Sequence, residues 1–127
     1  MRRAEITGLE WTDVNLEKRI ISLQLTKNGD SRNVPLSTRA VELLKSLKHH
    51  PCPFDVDKDV LTQLFGRACE DGSIENAHFH DTRATALTRL AGILNVLELA
   101  RMVGHRDIKS LQIYYREKAE DLAMKLG

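Results

Sequence analysis

The 127-residue chain has no long hydrophobic run and few residues that crosslink or interrupt a fold. No apolar stretch approaches the roughly 20 residues of a membrane-spanning helix, and the start of the chain lacks a signal-peptide pattern. Its two cysteines, Cys52 and Cys69, lack C-x-x-C spacing, and we interpret them as reduced thiols of a cytoplasmic protein. Repeats, low-complexity tracts and an interdomain linker are also missing. The sequence therefore predicts one small globular domain with no membrane segment.

The chain also lacks a strong charge of one sign, since its net charge is +1. That value argues weakly against a nucleic-acid partner. The charges are unevenly distributed, however. Residues 1–50 carry nine Lys and Arg against six Asp and Glu, residues 51–100 four against eight, and residues 101–127 six against four. Basic charge at both ends can form one face of the folded chain, and a basic face is what attracts nucleic acid.

Near the C-terminus, a glycine-histidine corner precedes a tyrosine by nine residues in the stretch GHRDIKSLQIY. Gly104 follows an apolar segment, as expected for a residue that ends a helix at positive φ. Asp107 is suited to cap a short helix over residues 108–115. We therefore expect His105 and Tyr114 at neighbouring element ends, where both side chains can converge on one ligand.

The chain begins directly in a helical pattern over residues 1–9. Ile6 and Leu9 are predicted to face a core. Arg2 and Glu5 are one turn apart, so their side chains can interact. A helix that starts without a lead-in suggests a fragment of a larger protein.

A β-hairpin follows. Residues 19–26 and 31–36 predict two strands, and Asn28-Gly29 is a strong two-residue turn between them. Lys27 stands at the tip of this hairpin. From this stretch alone, the simplest interpretation is that the lysine keeps the hairpin soluble.

Three further helices are predicted, of which the first two are expected to serve as scaffold without chemistry. Ser37 caps the first, which runs through Lys48, and Asp57 or Asp59 starts the second. The inner stripe of the second helix is predicted from its apolar residues: Val60, Leu61, Leu64, Phe65 and Ala68. Residues 117–126 form the third, an amphipathic helix that either folds back on the domain or docks onto another copy.

The stretch HFHDTRATALTRLAG predicts a helix that begins near His80 or Asp81 and stops at Gly92. His80 and Arg83 are three residues apart, so both are expected to project from the first turn on one side. A helix N-terminus offers free N–H groups and a positive dipole, which favour an anion. Three apolar residues are predicted to face inward: Ala86, Leu87 and Leu90.

Taken in order, these features resemble the catalytic domain of tyrosine recombinases, the family of the phage integrases and the bacterial Xer-type recombinases. The stretches GLEWTDV, TKNGDSRNVPLS, FHDTRATALTRLA and VGHRDIKSLQIYY carry the resemblance, which covers nearly the whole chain. It implies an α+β fold, mainly α-helical with a small antiparallel β-hairpin or sheet. It also implies that residues 1–127 are a single catalytic-domain fragment without the family's N-terminal core-binding domain.

The resemblance implies a catalytic role for six residues: Arg2, Lys27, His80, Arg83, His105 and Tyr114. Tyr114 is the implied nucleophile. Its phenol, with a pKa of about 10, leaves more readily than an alcohol, so strands can be rejoined without ATP. The planar guanidiniums of Arg2 and Arg83 match the phosphate oxygens that gain charge in the transition state.

The remaining roles follow from the same resemblance. Lys27 is the candidate general acid, and His80 is the candidate for accepting or orienting the tyrosine proton. His105 is the candidate for a hydrogen bond to the phosphate, and Glu5 for orienting the first arginine. Ala84 departs from the family, which commonly has a histidine there. No metal or other cofactor is implied, because the guanidiniums supply positive charge.

The implied function is site-specific cleavage and rejoining of double-stranded DNA through a 3′-phosphotyrosyl intermediate, with other recombinase protomers in a synaptic complex. The implied setting is the cytoplasm of a bacterium, for a bacterial or phage-encoded protein. The fragment alone is expected to bind DNA weakly and to recombine nothing. Three alternatives stay open: a type IB topoisomerase-like enzyme, a DNA-binding remnant without catalysis, and a zinc module using Cys52, Cys69, His78 and His80, whose spacing fits no common zinc pattern.

Overall fold

A computed structural model describes residues 1–24, 31–104 and 108–127. These residues form six α-helices: α1 (Arg3–Thr7), α2 (Thr38–Ser46), α3 (Lys58–Asp71), α4 (Phe79–Ala91), α5 (Val96–Val103) and α6 (Ala119–Leu126). They also form three strands and two 3-10 helices: β1 (Val14–Asn15), β2 (Ile20–Leu23), β3 (Arg32–Pro35), Trp11–Asp13 and Ile108–Tyr114. The predicted fold class, mainly helical with a small antiparallel sheet, is confirmed. Within the described ranges, no helix has both the length and the apolar character needed to cross a membrane.

The three strands pair antiparallel in the order β1-β2-β3. The sequence did not predict β1, because a two-residue strand is too short to show alternation. The register pairs Ile21 with Val34 and Leu23 with Arg32, which places these four side chains on one face. The three apolar members are buried, so Arg32 lies on the core side of the sheet. The predicted turn at residues 28–29 lies outside the described residues.

Helix ends follow the local chemistry of their capping residues. Side-chain oxygens of Ser37, Asp57 and Asn95 accept backbone N–H groups at the starts of α2, α3 and α5. Gly104 ends α5 at φ +72°, the left-handed conformation predicted for it. These caps fix where α5 stops, and therefore where the turn toward residues 105–107 begins.

The apolar side chains form two buried clusters. One joins the end of α1, the sheet and α2: Leu9, Ile21, Leu23, Val34 and Leu44. The other joins α4, α5 and the second 3-10 helix: Leu87, Leu99, Val103 and Leu111. Leu99 and Leu111 are completely buried, so the helix that ends at Tyr114 is held firmly against α5.

Two predicted apolar faces are wrong. In α3, Val60 and Leu64 are 45% and 51% exposed, and Ala86 of α4 is exposed as well. The main contacts of α3 are with α1 and α4, so a narrower stripe is covered, at four-residue spacing. This stripe consists of Leu61, Phe65 and Cys69.

The amphipathic tail is helical over α6, two residues shorter at its start than predicted. Its apolar side chains remain exposed, at 47% for Leu122, 84% for Met124 and 89% for Leu126. Lys125 bonds Glu117 at 2.7 Å, a contact that reaches from the helix to the segment just before it. Of the two alternatives expected for this helix, the exposed apolar face does not fit folding back on the domain, and docking onto another copy stays a prediction.

Candidate active site

Arg83 is buried in the fold, with 9% of the residue exposed. α4 starts at His78, whose backbone N–H donates to Asp81, and this start places Arg83 one turn before buried Leu87 on the inner face. Nη2 of Arg83 donates to the carbonyl of Val103 at 3.3 Å, whereas Nη1 is buried without a hydrogen-bond partner. An unsatisfied buried donor is costly, so this group is suited to receive an anionic oxygen.

Two further guanidiniums, those of Arg2 and Arg32, lie near Arg83. Burial lowers the pKa of Arg83, and the positive charges of Arg2 and Arg32 lower it further, while the nearby Glu5 and Tyr114 act in the opposite direction. We call Arg2, Arg32 and Arg83 the guanidinium cluster. Because three guanidiniums meet one carboxylate, the cluster has an excess of positive charge that favours an anionic ligand.

Glu5 connects two members of the cluster. Its Oε2 accepts the backbone N–H of Arg2 at 2.6 Å and Nη2 of Arg32 at 2.9 Å. Its Oε1 lies 3.6 Å from Nη1 of Arg2, whose side chain is 39% exposed. Burial alone would raise the pKa of the Glu5 carboxyl, but these hydrogen bonds outweigh burial and hold the pKa below its usual value. The carboxylate therefore stays ionised and can orient the half-exposed guanidinium beside it.

The two adjacent tyrosines have different environments. Tyr114 ends the second 3-10 helix, half-buried against the cluster of Leu99 and Leu111. The hydroxyl of Tyr115 donates to the carbonyl of Leu94 at 2.7 Å, and burial raises the pKa of this phenol, with a further contribution from a nearby carboxylate. Tyr115 is thus engaged as an anchor, whereas Tyr114 is the tyrosine near enough to Arg83 to influence the pKa of that guanidinium. The predicted short helix is present, as a 3-10 helix that ends at Tyr114.

His80 lies in the first turn of α4 and is exposed, in contrast to buried Arg83. It borders an open cavity of about 530 Å³ whose lining also includes Arg2, Phe65 and Phe79. The two residues of the predicted pair therefore differ in burial, and their approach to one ligand stays a prediction. Arg2 connects the exposed cavity at His80 with the buried surroundings of Arg83, since it lines the cavity and also belongs to the guanidinium cluster.

Four of the six predicted site residues are described. The structure places Arg2 and Tyr114 near Arg83, and His80 lines the same cavity as Arg2. Lys27 and His105 lie outside the described residues.

Sequence reasoning missed Arg32. The pattern that could have identified it is its spacing from Val34. The two residues are two positions apart on β3 and therefore lie on the same, buried face of the sheet.

The zinc-module alternative finds no ligand set in the structure. Over residues 1–24, 31–104 and 108–127, no three His, Cys, Asp or Glu side chains are grouped so as to hold a metal ion. Cys69 is buried in α3, while Cys52 lies 3.8 Å from Asp55 in the loop before that helix. The two thiols therefore serve local packing.

The arrangement of helices and sheet matches solved recombinase structures. The crystal structure of XerA recombinase superposes with a TM-score of 0.75 at 20% identity, over 98% of this chain and 51% of that one. The Tn1549 transposon integrase in complex with a circular intermediate DNA superposes with a TM-score of 0.80 at 18% identity, over 99% and 54%. At this identity the likeness concerns the fold, which is that of the tyrosine recombinases and integrases.

The sequence places the chain within this class. It belongs to the phage integrase family, whose profile matches residues 1–121. It is 41% identical over 128 residues to a Haemophilus influenzae protein named as an integrase/recombinase, covering 97% of this chain and 42% of that protein. It is 38% identical over 130 residues to the shufflon-specific DNA recombinase of Escherichia coli (99% and 34%). It is 31% identical over 127 residues to tyrosine recombinase XerA of Saccharolobus solfataricus (96% and 43%). The chain therefore spans well under half the length of these relatives.

Proposed function

We propose that this chain is the catalytic region of a site-specific recombinase or integrase that cleaves and rejoins double-stranded DNA through a 3′-phosphotyrosyl intermediate. The observation that carries the proposal is the buried Nη1 of Arg83, which has no hydrogen-bond partner and lies in a positive cluster beside Tyr114. A DNA phosphodiester supplies the anionic oxygens that this site lacks. The family membership and the DNA complex of the Tn1549 integrase support the same ligand.

In the first step, Oη of Tyr114 attacks the phosphorus of a DNA backbone phosphate. The new P–O bond to tyrosine forms as the bond to the 5′ oxygen breaks, which leaves a 3′-phosphotyrosyl linkage and a free 5′-hydroxyl. His80 takes or orients the phenol proton, and Lys27 gives a proton to the departing 5′ oxygen. The reverse attack by a 5′-hydroxyl restores the DNA and releases the phenol, so no external energy source is needed.

Arg2 and Arg83 stabilise the transition state of this step. Negative charge builds on the non-bridging oxygens of the phosphate, and two guanidiniums that are already in place pay no reorganisation cost when it develops. Arg83 is held by the carbonyl of Val103 and Arg2 is oriented by Glu5. His105 adds a hydrogen bond to the same phosphate.

In this proposal, residues 1–127 are a catalytic-domain fragment, and recombination takes several protomers on two DNA duplexes in the cytoplasm, where the DNA is. The fragment by itself binds DNA weakly, because only its positive cluster and basic ends face the backbone. Tight, site-specific binding of this chain in a gel-shift assay at low salt would contradict that part of the proposal.

The cleavage step is tested with a suicide substrate. A pool of nicked DNA duplexes with randomised sequence is incubated with the chain at low salt, so that the short 5′-hydroxyl strand diffuses away after cleavage and the adduct accumulates. Denaturing gels recover the protein–DNA adduct, and mass spectrometry identifies the modified peptide. We expect the DNA on Tyr114.

Tyr114→Phe is the variant that tests whether Tyr114 is the nucleophile, and Tyr115→Phe is its matched control one residue away. The proposal predicts loss of the adduct in the first and its persistence in the second. A chain that binds the pool but forms no adduct is the DNA-binding remnant. Relaxation of supercoiled DNA without joining of two duplexes identifies a topoisomerase-like enzyme.

A further inference from the structure

One member of the guanidinium cluster, Arg32, was not predicted as a site residue, and its side chain is buried. Arg32 on β3 is 6% exposed, and its register partner Leu23 shows that it projects from the core face of the sheet. A charged group in that position needs several partners to offset its lost hydration. Each of its partners belongs to a different element of the site.

The first partner is Glu5 on α1, whose Oε2 lies 2.9 Å from Nη2 of Arg32. This contact is more than an isolated ion pair, because the same oxygen accepts the backbone N–H of Arg2. One carboxylate oxygen thus binds both the start of α1 and the sheet. The position of the Arg2 guanidinium depends on this carboxylate, and the position of the carboxylate depends on Arg32.

The second partner is the C-terminal end of α5. Nε of Arg32 donates to the carbonyl of Met102 at 3.2 Å. The side chain also packs closely on Gly104, where an added Cβ would lie 2.9 Å from Cδ of Arg32. Gly104 ends α5 in the left-handed conformation, so the guanidinium supports the C-terminal end of that helix.

We propose that Arg32 is a positioning residue for strand cleavage, which ties Glu5 and Arg2 on one side to the Gly104 turn on the other. This inference rests on the proposed function. Arg32 does not touch the phosphate, because its donors are directed at Glu5 and Met102 and almost none of its surface is open. Its planar fork reaches two acceptors in fixed directions, which the single ammonium of a lysine cannot do.

The test compares Arg32→Lys, which keeps the charge and loses the fork, with the parent chain. The matched control is Arg39→Lys, in which the lost fork belongs to an exposed pair with Glu42 at 3.2 Å. The first readout is the 15N relaxation of the Arg2 Nε–H group, measured without DNA. We expect the order parameter of Arg2 to fall in Arg32→Lys and to be unchanged in the control.

The second readout separates positioning from DNA binding. In the suicide-substrate assay at saturating DNA, the adduct should form about 10²-fold more slowly in Arg32→Lys, the penalty of a misplacement near 1 Å. DNA affinity should stay within about twofold of the parent, since Arg32 makes no contact in the phosphate site in this proposal. A parent-like rate would overturn the inference, and so would a loss of affinity that accounts for the slower rate.

The two proposals fail in different ways. If the parent chain forms no adduct, the proposed function fails. The order parameter of Arg2, which is measured without DNA, then tests by itself whether Arg32 positions Arg2. If Arg32→Lys does not fold, the double variant Glu5→Gln with Arg32→Met replaces it, because removing both charges leaves no lone buried ion. Its reference is Glu5→Gln alone, so that the direct loss of the Glu5 charge is the same in both. The inference predicts that Arg2 is more mobile in the double variant than in Glu5→Gln, and equal mobility would contradict it.

Discussion

Arg83 is predicted to lower the stability of the fold that it serves. Its Nη1 is a buried donor without a partner, a deficit of about 1–3 kcal/mol, and its charge is opposed by two neighbouring guanidiniums. Arg83→Met keeps a long unbranched side chain and removes both penalties. It also removes the bond to the Val103 carbonyl, worth about 1 kcal/mol. We therefore expect a net gain of about 1 kcal/mol in the free energy of unfolding, or about 4 °C in Tm for a chain of this length.

The same substitution should greatly reduce DNA cleavage. Loss of one preorganised contact to a developing oxyanion costs about 3–4 kcal/mol, or about 10²–10³-fold in rate. Urea unfolding measures the first effect and the trapped adduct measures the second, with Arg89→Met, an exposed arginine in the last turn of the same helix, as control for both. A loss of more than about 2 kcal/mol of stability in Arg83→Met would refute the reasoning, because Arg83 would then be a structural support instead of an anion receptor.

Glu5 should make stability depend on acid pH, because hydrogen bonds hold its pKa below the unfolded value of 4.5 although burial opposes this. Its contribution is fully present above that pH and is lost as the pH falls through the folded pKa, and urea unfolding of Glu5→Gln should show a flatter acid limb. Tyr115→Phe removes the bond to the Leu94 carbonyl, so urea unfolding should show a loss of about 1 kcal/mol. Gly104→Ala forces a side chain into φ +72° and against Arg32, so thermal unfolding should show a loss of about 1–2 kcal/mol or more.

Each of these outcomes has a result that would contradict it. An acid limb that is unchanged in Glu5→Gln would mean that other carboxyls set the pH dependence. Full stability in Tyr115→Phe would mean that its hydroxyl is not an anchor. For Gly104→Ala the control is Gly92→Ala, at a glycine with φ −76° and ordinary contacts, and equal losses at both sites would contradict the role of the left-handed turn.

Local chemistry in the sequence was enough to predict most element boundaries. The side chains of Ser37, Asp57 and Asn95 satisfy N–H groups of their own helices, so caps are visible without knowledge of the packing. The buried faces were less predictable. The apolar residues of α3 cover more than half of its circumference, and only the contacts with α1 and α4 decide that Cys69 is buried while Leu64 is not.

The candidate site shows the same difference between features set by local sequence and features set by packing. The proximity of Arg2 and Tyr114 to Arg83 could be expected from the order of the motifs, although their roles stay predictions. The burial of Arg83 could not, since it depends on how far α4 is rotated toward the second apolar cluster. Arg32 was missed because its role appears only when β3 meets Glu5 and the end of α5, far away in sequence.

The central claim is that the guanidiniums of Arg2 and Arg83 receive one and the same phosphate. The most direct measurement is a titration of the folded chain with inorganic phosphate, followed by NMR through the Nε–H signals of both arginines. The account predicts that the two signals shift with a single dissociation constant, and that Arg83→Met abolishes the shift of Arg2. Independent constants for the two arginines, or a shift of only one of them, would contradict it.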